Sequence, residues 1–316
     1  MKYLTSTEQI KLANSSIANN FEIKSISSFI NRVELELILL IGETTLNKVV
    51  ANSIAVDILR SAITDLALAE YTSSGSVLLD NSGIYVLKSD NKLPASDKKL
   101  LNFRMEALER GWRCVEQLVI YLESKPTEFT EWKDSEERKS YFSTLFSNSS
   151  EFSSFGGLSI SAHLFKVLKP IIRRVEEDYL NPNFHEAFVE DLRTNRLNKS
   201  MTPLLTKLER KFMQIVAPLA LSEAIPLNLV SIKEGGVYQS SVVALGNTSD
   251  NVQSLTSAEV NKLSLVMGKL DSEGNARLTQ VKKWLKANAL DYPYYQIPNE
   301  VSREAINTTD SNIYLL

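Results

Sequence analysis

Turn-forming residues are scarce in this 316-residue chain: 11 glycines and 9 prolines make up roughly 6% of it, against about 12% in average usage. A β-sandwich or an α/β fold needs more turns than that, so long helices are expected. A single cysteine, Cys114, excludes a disulfide scaffold and a cysteine zinc cluster. The only two histidines, His163 and His185, form no His-x-x-x-His pair, which leaves no recognisable zinc motif. Neither sign of charge dominates. The 35 basic and 38 acidic residues leave a net charge of −3, which argues against a protein whose main task is to grip nucleic acid through a basic face. Long hydrophobic runs are missing as well. The most apolar stretch, Leu35 to Ile41, carries Glu36 and is far too short to cross a bilayer. The first eight residues hold no apolar signal-peptide core, so a soluble chain made in the cytoplasm is expected. What remains is globular composition, 43% hydrophobic and 23% charged, at a length that suggests two domains.

The most informative positive feature is an internal repeat. Leu66-Ala67-Leu68 returns as Leu219-Ala220-Leu221, and Glu70 returns as Glu223. Gly83-Ile84-Tyr85 matches Gly236-Val237-Tyr238, with Val77 and Leu79 matched by Val230 and Ile232, all at an offset of 153. After a small insertion, Tyr121-Leu122 and Phe129 match Trp284-Leu285 and Tyr292 at an offset of 163. A fainter echo links Ile30-Asn31-Arg32-Val33-Glu34 to Ile172-Arg173-Arg174-Val175-Glu176. These matches predict two copies of one module, 1–150 and 151–296, joined near Ser147 to Gly157. A C-terminal arm, 297–316, would follow.

Each copy reads as helices around a hairpin, which makes the expected fold mainly α. Thr5 with Glu8 has capping-box spacing for a short first helix. A helix is expected over Ser28 to Ile41, and another over about Asn47 to Tyr71, with Val50, Ile54, Ile58, Ala62 and Leu66 along one face. Asp80-Asn81-Ser82-Gly83 is a turn cluster between two strand-like runs, with Gly83 free to take positive φ. Beyond Pro94, Ser96 is placed to cap the longest helix. Its apolar positions Leu101, Met105, Leu108, Trp112, Val115, Val119 and Leu122 form a heptad seam. The matching helix of the second copy opens on the capping box Thr256-Ser257-Ala258-Glu259 and carries Val260, Leu263, Met267, Leu270, Leu278, Val281 and Leu285. A break is expected in it at Asp271-Ser272-Glu273-Gly274-Asn275. Pro218, the counterpart of Asp65, should bend its helix.

A search for chemistry finds no enzyme and no cofactor or metal site. Arg113 beside Cys114 would favour a thiolate, but no partner base is evident, and a small apolar filler is the expected role. Gly156-Gly157 and Gly235-Gly236 lack the spacing and following Lys-Ser/Thr of a phosphate loop, and there is no Gly-x-Ser-x-Gly elbow. Acidic groups such as Glu176-Glu177-Asp178 read as solvated helix faces, and Arg173-Arg174 and Lys282-Lys283 as surface charge. The C-terminal arm is polar until its last four residues, Ile313, Tyr314, Leu315 and Leu316. These are the candidate subunit contact, on the same domain or on a neighbouring copy.

The order helix, helix, hairpin, long helix resembles the small helical connector proteins of tailed bacteriophages. More specifically, the chain resembles a family of Bacteroidetes phage and prophage proteins that are tandem versions of that connector, including neck ring proteins of crAss-like phages. The residues that carry the resemblance are Val77 to Ile84 with Pro94-Ala95-Ser96; Trp132, Ser135, Phe146 and Glu151-Phe152; and Ser161, Phe165, Leu168 and Glu176. The resemblance implies a non-enzymatic virion protein, assembled in the host cytoplasm into a homo-oligomeric ring of 12 copies at the neck. Its partners would be the portal protein and adjacent neck or tail rings, with genomic DNA passing through and no sequence-specific contact or membrane. From a different functional class, a bacterial helical adaptor that binds partner proteins through its seam also fits the residues.

Overall fold

The structure is a computed structural model that describes residues 1–14, 17, 21–74, 77–80, 83–86, 97–225, 230–233, 236–239 and 257–292. It is mainly α and built as two tandem modules. The first comprises α1 (Thr7–Ala13), a 3-10 turn (Ile23–Ile26), α2 (Ser27–Ile41), α3 (Glu43–Val50), α4 (Ser53–Ser74), β1 (Val77–Asp80), β2 (Gly83–Val86), α5 (Asp97–Ser124), α6 (Thr130–Lys133) and α7 (Glu136–Tyr141). The second comprises α8 (Ser149–Gly156), α9 (Ala162–Val175), a π turn (Glu176–Leu180), α10 (Asn181–Phe184), α11 (Glu186–Leu197), α12 (Pro203–Ala224), β3 (Val230–Lys233), β4 (Gly236–Gln239) and α13 (Ser257–Ala287). The two hairpins share one register: Val77 lies opposite Val86 as Val230 lies opposite Gln239, and Asp80 opposite Gly83 as Lys233 opposite Gly236.

Two hydrophobic cores give the modules their identity. The first gathers Leu4, Ile10, Ile30, Leu37, Leu59, Ile63, Trp112, Leu118 and Trp132, and the second Phe146, Phe152, Ile172, Val189, Phe212, Leu219, Val281 and Leu285. Leu145 and Phe146 already belong to the second core, ahead of the boundary expected at 150. Within each core the dominant pair is antiparallel, α4 against α5 and α12 against α13.

The repeat extends to polar detail. Ser6 caps α1 by accepting the Gln9 N–H at 3.3 Å, and the Gln9 side chain accepts the Thr5 N–H at 2.8 Å. At an offset of 142, Asn148 caps α8 by accepting the Glu151 N–H at 2.8 Å, and Glu151 accepts the Ser147 N–H at 2.6 Å. The cap therefore lies one residue beyond the Thr5–Glu8 spacing read from the sequence. Ser6 has the extended backbone that a cap requires, and Gln9 supplies the reciprocal bond. The π turn adds one residue to the second copy, and the chain corner that follows confirms the new offset. Gly42 (φ 91°, ψ 138°) ends α2, and His185 (φ 70°, ψ 128°) ends α10 with the same backbone.

Two helical expectations need correction. The helix expected over 47–71 is two helices, because the chain turns at Ala51 and Asn52. Asn52 Oδ1 accepts the Ala55 N–H at 2.9 Å and opens α4 afresh. The change of axis takes Val50 and Ile54 out of the apolar face, and they are 41% and 58% exposed. No break occurs at 271–275, since α13 is continuous across Gly274. That glycine packs against α12, where an added Cβ would stand 2.5 Å from Leu219 Cγ. Pro218 is buried inside a helix that continues to Ala224. The Gly83 turn, the Ser96 cap and the Thr256 cap involve residues outside the described ones.

While the interiors agree, the surfaces differ. Leu12, Leu35, Ile54 and Ile120 are exposed apolar residues of the first module. Their counterparts in the second are Ser154, Glu177, Lys207 and Lys283.

Candidate functional site

The densest polar arrangement lies where the modules meet, and helix α5 organises it. Glu109, Glu116 and Glu123 recur every seven residues, so they share one face of that helix. Each carboxylate reaches into the second module. Glu109 Oε2 accepts the His163 N–H at 3.3 Å, in the first turn of α9. Glu116 accepts the Ser149 N–H and Oγ–H, both at 2.8 Å, at the first residue of α8. Helix N-termini carry unpaired N–H groups and partial positive charge, so a carboxylate placed there satisfies both.

Glu123 closes the ladder. It accepts the Trp132 indole N–H at 2.8 Å and the Arg138 guanidinium at 2.5 and 3.1 Å, and it lies 3.0 Å from the Lys199 ammonium. Arg138 also donates to the Leu197 carbonyl at 2.9 Å, and Lys199 to the Glu123 carbonyl at 2.8 Å. Burial alone would raise the Glu123 carboxyl, but Arg138 and Lys199 outweigh it and hold the group below its ordinary value. Among the described residues no such cation lies at contact distance from Glu116, and burial pushes its carboxyl up against the opposing Ser149 hydrogen bonds.

A cavity of about 260 Å³ opens in this joint, with Val119, Ile120, Phe142 and Leu197 as apolar wall and Arg138 among its polar groups. Beside the joint, the Lys169 ammonium donates to the Tyr141 carbonyl at 2.7 Å and lies 3.7 Å from the centre of the Tyr141 ring. Burial pushes Lys169 down to about 8, with Glu116 opposing. Lys166 of α9 pairs with Glu36 of α2 and lies 3.9 Å over Trp112, a further tie between modules.

Two further carboxylates, one in each module, work within the modules. Glu34 is buried and accepts the N–H of Tyr3 at 2.8 Å and of Leu4 at 3.1 Å. Glu176, its counterpart, is fully buried and accepts the N–H of Leu145 at 2.8 Å. Tyr3 and Leu145 are themselves counterparts, so each module clamps its own entry segment with the same glutamate. Glu176 also pairs with Arg193 at 2.6 Å, yet burial keeps its carboxyl above the ordinary value. Arg32 pairs with Glu70 at 3.1 Å and Arg174 with Glu223, again at matching positions.

The residues weighed for chemistry are not brought together. Cys114 is half-buried on α5, and burial pushes its thiol up, away from reactivity. Burial lowers the His163 imidazole to about 4, and exposed His185 occupies the helix corner. Among the described residues no hydrogen bond joins these three, and no group of three His, Cys, Asp or Glu side chains converges to hold a metal ion. Nor is any described helix long and apolar enough to cross a membrane. Ile313, Tyr314, Leu315 and Leu316, the expected subunit contact, lie outside the described residues. The glutamate ladder escaped the sequence reading, although its seven-residue spacing is visible there. Glu176, read as part of a solvated face, is in fact buried.

A family model described as Family of unknown function (DUF6712) matches this chain twice, over residues 23–141 and 177–305, together well over half its length. The two matches end 164 residues apart, one residue from the 163 offset of the internal repeat, whereas their starts, 154 apart, are not equivalent positions, since the repeat there runs at 142. The Glu34 and Glu176 clamps carry the likeness upstream of both matches, to Tyr3 and Leu145. No curated protein and no solved structure matches the chain.

Proposed function

The chain belongs to the family of unknown function DUF6712, and we propose that it is a structural virion protein of a tailed phage. In this reading 12 copies form a ring at the neck, between the portal protein and the next neck or tail ring. The ring is a conduit for genomic DNA and performs no turnover. Copies are made in the host cytoplasm and join the virion at the portal vertex.

The observation that carries the reading is the doubled framework with unequal surfaces. These carboxylates each close a structural bond: buried Glu34 and Glu176 on entry segments, half-buried Glu116 on a helix start. This is an architecture for holding two modules rigidly. Exposed Leu35 and Leu39, one turn apart on α2, offer an apolar stripe suited to a neighbouring subunit. The second module carries Glu177 in place of Leu35, so the two modules offer unlike faces, and a closed ring would pair such faces head-to-tail.

Mass spectrometry and immunogold microscopy of purified virions test the proposal. The expected result is this chain in stoichiometric amount, with label confined to the portal vertex. Label elsewhere, or a chain missing from virions and recovered with host proteins, overturns it in favour of the adaptor reading.

A further inference from the structure

We propose that a basic groove on α12 of the second module binds the phosphate backbone of duplex DNA without sequence selectivity. The juxtaposition is specific. Lys207, Arg210 and Lys211 fall at i, i+3 and i+4 along one face of α12, with Thr206 and Gln214 extending it at either end. They line a concavity of about 580 Å³, and no carboxylate lines it. The ammonium groups of Lys207 and Lys211 lie 5.3 and 4.5 Å from the ring of Trp284, which holds them together on that side.

Ion pairing leaves the cations of this groove uncommitted. Arg173, Arg174, Arg193, Arg196 and Lys199 all form ion pairs, whereas among the described residues Lys207, Arg210 and Lys211 have no ion-pair partner. The groove is not inherited from the shared module either. Its counterparts in the first are Ile54, Asp57, Ile58 and Ser61, which together carry one negative charge. A cluster of three cations with a hydroxyl and an amide, and no acid among them, is the donor set that contacts backbone phosphates. An overall charge of −3 keeps the rest of the surface from competing for the same polyanion.

The inference deepens the neck-ring reading and rests on it for choosing duplex DNA as the polyanion. Fluorescence anisotropy of a labelled 30-base-pair duplex, titrated with the full chain between 50 and 200 mM KCl, tests it. Three neutralised phosphates predict a logarithmic salt slope of about −2.7, a loss of roughly 40-fold over that range. The triple variant Lys207→Gln/Arg210→Gln/Lys211→Gln should abolish binding, and Lys207→Gln alone should reduce the slope by about 0.9. All three side chains face the solvent-filled groove, and circular dichroism of each variant verifies the fold. Absence of duplex binding at 50 mM KCl, a triple variant with the wild-type slope, or binding of poly-glutamate in place of DNA overturns the proposal. A chain at the portal vertex that ignores duplex DNA sinks the groove alone, and one that binds DNA but is missing from virions sinks the neck reading alone.

Discussion

Gly111 lies so close to Leu66 that a Cβ on the glycine would stand 2.6 Å from the leucine Cγ, and Gly274 meets Leu219 in the same way at 2.5 Å. These are the same two positions in the two modules, with the leucines 153 residues apart and the glycines 163. The contact sets the closest approach of the long antiparallel pair in each core. Gly111→Ala and Gly274→Ala should therefore each lower stability by about 1–3 kcal/mol through overpacking. Chemical denaturation checks this, and Gly268→Ala on the same helix as Gly274, where a Cβ meets nothing within 4 Å, should be neutral or stabilising.

The corner that ends α2 in the first module and α10 in the second yields a prediction of opposite sign. His185 holds φ at 70°, where Gly42 in the first module holds 91°. Positive φ is strained for a residue with a Cβ, and His185 is exposed with no side-chain hydrogen bond among the described residues. His185→Gly should raise stability by about 1 kcal/mol, somewhat offset by the freer unfolded chain. Gly42→Ala should do the reverse and more, because its Cβ would also stand 3.2 Å from the Glu137 carboxyl carbon. A rise in Tm for the first variant and a fall for the second is the expected pair of results.

Lys169 gives the protein a defined alkaline response. Burial lowers its ammonium from 10.5 to about 8, so between those values the unfolded chain binds the proton and the folded one does not. Stability should rise with pH across that window and be flat, for this group, below about 8. Lys169→Met keeps the methylene packing over Tyr141 and removes the charge, so the slope between pH 8 and 10.5 should flatten. The full difference is about 3 kcal/mol at one pKa unit per 1.36 kcal/mol. Urea titrations of both proteins at pH 7.5, 9 and 10.5 measure it.

Much of this architecture could be read from the residues, and what could not has identifiable causes. The offsets 153 and 163 were legible because the matched residues are core residues, and packing holds a core to type. Trp112, Val115, Val119 and Leu122 of the seam are buried for the same reason. Gly274 misled because a glycine amid polar residues reads as a breaker, and only the opposing helix reveals it as a contact. Val50 and Ile54 preserved the helical period across a turn that Asn52 makes, so periodicity hid the boundary. The glutamates at 109, 116 and 123 could not be recognised as a joint from their spacing alone, since the partners they hold across it lie 30 to 80 residues further along.

That ladder carries the last prediction. If Glu116 and Glu123 join the modules, removing them should uncouple unfolding without emptying either core, since neither belongs to the clusters around Trp112 or Phe152. Glu116→Ala leaves the Ser149 N–H and hydroxyl without their acceptor, at a cost of about 1–3 kcal/mol. Glu123→Ala leaves Arg138, which is largely buried, without its carboxylate, and leaves Lys199 with only the backbone carbonyl of residue 123. The double variant should unfold in two separated steps where the wild-type chain unfolds in one, and proteases should cut it faster between Phe142 and Ser147, the strand that links the cores. A variant that still unfolds in one step at wild-type protease resistance would show that the apolar contacts of α5 with α9 hold the joint, and that the carboxylates only decorate it.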